Sequence, residues 1–100
     1  PMLGLYSVSK AALISMTKVM AKEWSAAGIR ANVICPGLVK TKLSEALWQN
    51  DAVLNEALRD VPLARAAEPD EIAGIALYLA GDAASYATGG VFTVDGGHTI

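Results

Sequence analysis

From Tyr6 to about Ala26 the sequence runs Y-S-V-S-K-A-A-L-I-S-M-T-K-V-M-A-K-E-W-S-A without a glycine or proline, and Gly28 closes it. Alanine, leucine, lysine and methionine favour helix, and a glycine just past the end suits a left-handed cap. The apolar positions are the constraint. Val8, Ala12, Met16, Val19 and Met20 are joined by Leu13, Ile14, Ala21 and Trp24, so apolar surface wraps much of the cylinder rather than one stripe. Such a helix needs cover on two sides.

Beyond Gly28 the pattern alternates between strand and helix. Ile29 to Cys35 is a short run with β-branched residues between Gly28 and Pro36-Gly37, which predicts a strand ending at Cys35. Residues 43 to 60 pair Leu43 with Leu47 and Leu54 with Leu58 at helical spacing, and Gln49-Asn50-Asp51 can break that helix in two. Glu68-Pro69-Asp70-Glu71 opens a cleaner helix, because proline suits the first turn and acidic groups complement its exposed N–H groups. Its stripe is Ile72, Ile75, Ala76 and Leu79, and Gly81-Asp82 ends it. Val91 to Val94 is a second strand, stopped by Asp95-Gly96-Gly97. Helix, strand, helices, strand predicts an α/β fold in which a crossover joins two parallel strands.

Length and composition narrow the function classes. A chain of 100 residues supplies at most one compact domain and buries somewhat more than about 60% of the surface its unfolded form exposes. One cysteine and one histidine argue against a disulfide scaffold or a structural zinc site, and Asp51, Asp60, Asp70 and Asp82 show no ligand spacing, so no metal is expected. No apolar run reaches the roughly 18 residues of a membrane span, and the first residues lack a basic leader region. A cytoplasmic protein without a membrane partner is the expectation. Residues 1 to 42 hold six basic groups against Glu23, whereas residues 43 to 100 hold two against nine acidic ones. Basic groups spread this thinly, with an acidic remainder behind them, do not make a nucleic-acid surface.

Tyr6 and Lys10 stand four apart at the start of the long helix, which puts their Cβ atoms roughly 5–6 Å apart on one face. A phenol holds its proton too tightly to act as an acid or base at neutral pH, but a nearby ammonium and the positive end of a helix both favour the phenolate. At about 5 Å and an effective dielectric near 20 the Coulomb energy is roughly 3 kcal/mol before solvation losses. The pair alone is also compatible with a ring packed on a lysine stem.

Four ordered motifs carry more. Y-S-V-S-K-A-A-L at 6–13, R-A-N-V-I-C-P-G-L-V-K-T at 30–41, P-D-E-I-A at 69–73 and S-Y-A-T-G-G-V-F-T-V-D-G-G at 85–97 closely resemble the C-terminal part of a classical short-chain dehydrogenase/reductase. The resemblance covers essentially the whole chain. It implies a partial Rossmann-like three-layer α/β fold and an NAD(P)-dependent oxidoreductase that interconverts a hydroxyl and a carbonyl group. By the same resemblance Tyr6 is the general acid/base, and Lys10 favours its phenolate and holds the nicotinamide ribose. Pro36 and Gly37 turn the chain beneath the nicotinamide, the Val39 backbone meets its carboxamide, and the Thr41 hydroxyl bonds the carboxamide or pyrophosphate region. Residues 42–62 match a substrate lid, whose Leu43, Leu47, Trp48, Leu54, Leu58 and Val61 divide between pocket lining and helix packing. Asn32 is read as a structural carboxamide, Cys35 as a small buried residue, Arg59 and Arg65 as solvated or salt-bridged, and His98 as a tail or interface residue.

The family's glycine-rich strand-turn-helix and its catalytic serine would fall before Pro1, and Ser7 and Ser9 do not replace that serine. The 100 residues alone are therefore expected to be inactive and to hold no NAD or NADP stably. The parent enzyme would take a small alcohol or carbonyl substrate. The rival reading is a noncatalytic module that associates with itself, since the family forms dimers or tetramers and the apolar helix and Phe92 offer surface for it.

Overall fold

The computed structural model describes the backbone of residues 2–100 and the side chains of residues 4, 5 and 7–100. In chain order the elements are α1 (Met2–Trp24), β1 (Val33–Pro36), α2 (Glu45–Trp48), α3 (Asp51–Ala57), α4 (Pro69–Ala80) and β2 (Val91–Val94). Single 3-10 turns lie at Ser25–Ala27 and Asp82–Ala84. The strands form one two-stranded sheet. Val33 donates its N–H to the Gly90 carbonyl and Gly37 donates to the Val94 carbonyl, so both strands advance together and the pairing is parallel. The α/β class expected from the sequence holds. Among the described residues no helix is long and apolar enough to cross a membrane.

The chain divides into two compact units, residues 1–34 with 78–92 and residues 35–77 with 93–100. In the first unit α1 ends as the sequence indicates: after the 3-10 turn, Gly28 takes φ +76° and donates its N–H to the Ser25 carbonyl. The helix buries one line of residues. Thr17 and Ala21 are buried and Lys10, Ile14 and Met20 half-buried, while Leu5, Val8, Leu13, Met16 and Val19 stay exposed. Thr17 meets its burial by donating its hydroxyl to the Leu13 carbonyl at 2.8 Å.

The segment before β1 is tied to residues 79–90 by side chains. Asn32 donates its amide to the Ala87 carbonyl at 2.9 Å and accepts from the Gly90 N–H at 3.0 Å, which bears out its structural reading. Arg30 donates to the carbonyls of Leu79 at 2.9 Å and Ala87 at 3.3 Å, tying down the end of α4. Ala31 donates its N–H to the Thr88 hydroxyl. These irregular bonds are why the strand starts at Val33 rather than at Ile29, where the sequence places it.

In the second unit Gln49-Asn50 breaks the helical segment as expected. Asn50, extended at φ −102°, accepts the N–H groups of Ala52 and Val53 on its side-chain oxygen and so caps α3. α4 begins at Pro69, but its stripe is shallower than the pattern suggests: Ile72, Ile75 and Leu79 are half-buried and Ala76 is exposed. Cys35 is buried, as predicted, with a free thiol. Leu63 donates its N–H to the Gly96 carbonyl, and ideal Cβ atoms on Gly96 and Gly97 would lie 2.9 Å from Val61 and Pro62, respectively. Glycines there let residues 61–63 settle on the C-terminal turn.

The Asn32 carboxamide is the most exposed to a simple test. Asn32→Ala leaves the Gly90 N–H without its partner and the Ala87 carbonyl with only the longer bond from Arg30, and is expected to cost about 1–2 kcal/mol, lowering Tm by roughly 5–15 °C in a thermal melt. An unchanged Tm would show that solvent replaces the carboxamide.

Candidate functional site

Two groups of residues carry the predicted chemistry, one in each unit. In the first, Tyr6 and Lys10 lie on α1, which runs unbroken through both. One helical turn separates them along the backbone, about 6 Å of rise. Lys10 heads the buried line continued by Ile14, Thr17 and Ala21 and is itself half-buried. The side chain of Tyr6 lies outside the described residues.

In the second unit Pro36, Gly37, Val39 and Thr41 form one continuous turn leaving β1. Pro36 is exposed at the strand end. Gly37 makes the last bond to β2, and an ideal Cβ there would lie 2.8 Å from the Asp95 backbone, so only glycine fits. The chain then changes partner. Ala67 donates its N–H to the Leu38 carbonyl at 2.8 Å and accepts from Lys40 at 2.9 Å, a parallel bridge between Val39 and Ala67. In such a bridge the central residue's own amide and carbonyl point away from the partner. The Val39 carbonyl is taken by the Ser44 hydroxyl at 2.5 Å, which leaves its N–H as the group directed outward from Ala67.

Thr41 is bonded within the turn. Its N–H donates to the Ser44 hydroxyl at 3.0 Å, its own hydroxyl donates to the same oxygen at 3.2 Å, and its carbonyl accepts the Trp48 indole N–H at 3.0 Å. Ser44 and Trp48 are thus members of this turn that the motifs do not mark. The available signals were the Thr41-x-x-Ser44 spacing, typical of hydroxyl turns, and an indole donor that needs a partner.

The Ala67 side of the bridge is held by charge. Arg65 donates to both Glu71 carboxylate oxygens at 2.7 and 2.8 Å and to the Ala66 carbonyl at 3.2 Å, while the Glu68 N–H donates to Glu71 at 2.9 Å. The Arg65 bond first, and the Glu68 N–H second, lower the Glu71 carboxyl to about 2. Arg59 pairs with Glu56 at 3.1 Å, so both arginines are salt-bridged as read. At the other flank the Thr99 hydroxyl and the N–H groups of Gly97 and Thr99 lower the Asp95 carboxyl. An open apolar cavity of about 430 Å³ lies on α2 and α3, lined by Leu47, Ala52, Val53, Glu56 and Ala57.

The turn suits the carboxamide end of a nicotinamide: a glycine with no room for a side chain, an outward backbone donor at Val39, and hydroxyls at Thr41 and Ser44. Residues 1–99 match the family described as enoyl-(acyl carrier protein) reductase. The chain is 41% identical over 101 residues to oxidoreductase UcpA of Salmonella typhimurium, covering 95% of this chain and 38% of UcpA. Among solved structures, 4-hydroxyisoleucine dehydrogenase complexed with NADH superposes with a TM-score of 0.89 at 38% identity, over 94% of this chain and 39% of that one. A protein assigned as 2-deoxy-d-gluconate 3-dehydrogenase from Agrobacterium tumefaciens, with bound NADP, gives 0.85 at 38% identity, over 93% and 38%. The chain spans about 38% of the length of the curated relatives it first matches.

The Glu71 clamp sets a pH dependence. A carboxyl lowered on folding contributes stability that is fully present above its unfolded value of about 4.5 and is lost as pH falls toward about 2. Asp95 acts in the same direction. The urea midpoint is expected to fall across that window, and Glu71→Gln to shrink the fall. Equal pH slopes in the two proteins would show that the clamp contributes nothing.

Proposed function

Because the chain belongs to the short-chain dehydrogenase/reductase family, we propose that it is the part of an NAD(P)-dependent oxidoreductase that supplies the proton-transfer pair and the nicotinamide turn. The observation that carries this reading is the unbroken course of α1 through Tyr6 and Lys10, which stacks the two residues one turn apart. Bound NAD or NADP supplies the hydride acceptor, or in reduced form the donor. As a substrate carbon gives up hydride, the Tyr6 phenolate takes the proton of its hydroxyl, leaving a carbonyl; in reduction the Tyr6 phenol returns that proton to the carbonyl oxygen. Lys10 keeps its ammonium beside the phenolate and bonds the nicotinamide ribose hydroxyls. Gly37 lets the ring approach, Val39 donates its N–H to the carboxamide, and Pro36 and Thr41 shape the turn around it.

The substrate is a small alcohol or carbonyl compound. Residues 42–62 form its lid, and the apolar wall of α2 and α3 supports a substrate with an apolar part. The chemistry also needs a glycine-rich dinucleotide loop and a serine that polarises the substrate oxygen, neither of which residues 1–100 provide at the family's positions. Alone, these residues hold no cofactor stably and are inactive. The buried free Cys35 and the lack of a membrane-spanning helix among the described residues support a cytoplasmic setting.

A second reading rests on its own observation. Leu5, Val8, Leu13, Met16 and Val19 of α1 are each about half exposed or more, an apolar surface that supports a homo-oligomer, dimer or tetramer. If catalysis were absent altogether, self-association would be the remaining function.

In the product of the full reading frame that carries residues 1–100, Tyr6→Phe is expected to lower kcat by about 10²–10⁴ while cofactor affinity changes little. Turnover followed by reduced-nicotinamide absorbance checks this, and an active Tyr6→Phe protein would overturn the assignment. Light scattering of the same product should show a dimer or tetramer; a monomer at working concentration would contradict the association.

A further inference from the structure

We propose that Trp48 is a positioning residue for the nicotinamide turn, an inference that rests on the cofactor reading above. Its indole N–H donates to the Thr41 carbonyl at 3.0 Å, and the indole is half-buried at the end of α2. Ser44, on the residue leading into α2, closes the same turn from the other side through the Val39 carbonyl and the Thr41 N–H. The turn therefore has two side-chain ties to the first helix of the lid. Between them they occupy the carbonyls of Val39 and Thr41, which opposes rotation of these peptide planes and favours a Val39 N–H directed away from Ala67. Leu43, by contrast, is almost fully exposed and Lys42 is exposed, so little other packing holds the stretch between Thr41 and α2. A phenyl ring would fill the same space but would leave the Thr41 carbonyl to the longer bonds from the Ser44 N–H and hydroxyl, both at 3.2 Å. Through this bond Trp48 acts on the backbone that would meet the cofactor.

Trp48→Phe in the product of the full reading frame keeps the ring and removes the donor. Loss of one such bond is expected to raise the dissociation constant of NADH or NADPH, whichever the unsubstituted protein binds, by about three- to tenfold. kcat at saturating cofactor should fall by less than the affinity does, because the proton-transfer pair lies on another helix. Without cofactor, trypsin should nick the chain faster after Lys42, and cofactor should slow the nicking in both proteins. Ser44→Ala, which releases the other tie, should shift affinity and nicking in the same direction, and it carries the test if Trp48→Phe fails to fold. Normal cofactor binding and unchanged nicking in these variants would overturn the proposal. If kcat fell as much as affinity, Trp48 would act on the chemistry and the positioning role would be wrong. Failure of the unsubstituted protein to bind either nucleotide would refute the cofactor reading, and the positioning role with it.

Discussion

The exchange of hydrogen-bond partners at the end of β1 is the constraint on which the candidate site depends. Gly37 makes the last bond to β2 and Leu38 the first to Ala67, within two successive residues. By leaving β2 at Gly37, where the Asp95 backbone excludes a side chain, and pairing once with Ala67, the chain turns one amide, that of Val39, outward. A bridge of a single pair has little stability of its own. Its support comes from both flanks: Ser44 and Trp48 hold the Val39–Thr41 side, and the Arg65–Glu71 pair holds the Ala67 side through the Ala66 carbonyl and the start of α4.

The proposed proton-transfer pair is built by simpler means. Tyr6 and Lys10 need only a helix that does not break between them, and α1 extends from Met2 to Trp24 without interruption. The same helix explains the apolar excess. One line of its surface is covered within the described structure, and the side bearing Leu5, Val8, Met16 and Val19 is not. Of the cover on two sides that such a cylinder needs, the chain itself supplies half.

Much of the fold was legible in the sequence, for physical reasons. Gly28, Pro69 and the Val91–Val94 run are local signals, and each marks the boundary its chemistry implies. Asn32 was readable as a backbone partner because a carboxamide beside a strand has few other uses. The start of β1 was not legible: Ile29 to Asn32 have strand composition, but side-chain bonds from Arg30, Asn32 and Thr88 hold that stretch outside the ladder. The early start of α1 at Met2 carries no capping signal. The Val39–Ala67 bridge has no periodicity, since a single pair across distant segments leaves no pattern. For the same reason Trp48 read as an apolar lid residue, although its indole N–H is what ties it to the turn.

In the proposed enzyme the turn after β1 reads the nicotinamide through the Val39 backbone. A crystal structure of the full reading frame's product with NADH or NADPH tests it most directly. The carboxamide oxygen is expected within hydrogen-bonding distance, about 2.7–3.2 Å, of the Val39 nitrogen, with the ring over Gly37. A nicotinamide bound with its carboxamide on other groups, leaving the Val39 N–H to solvent, would contradict it.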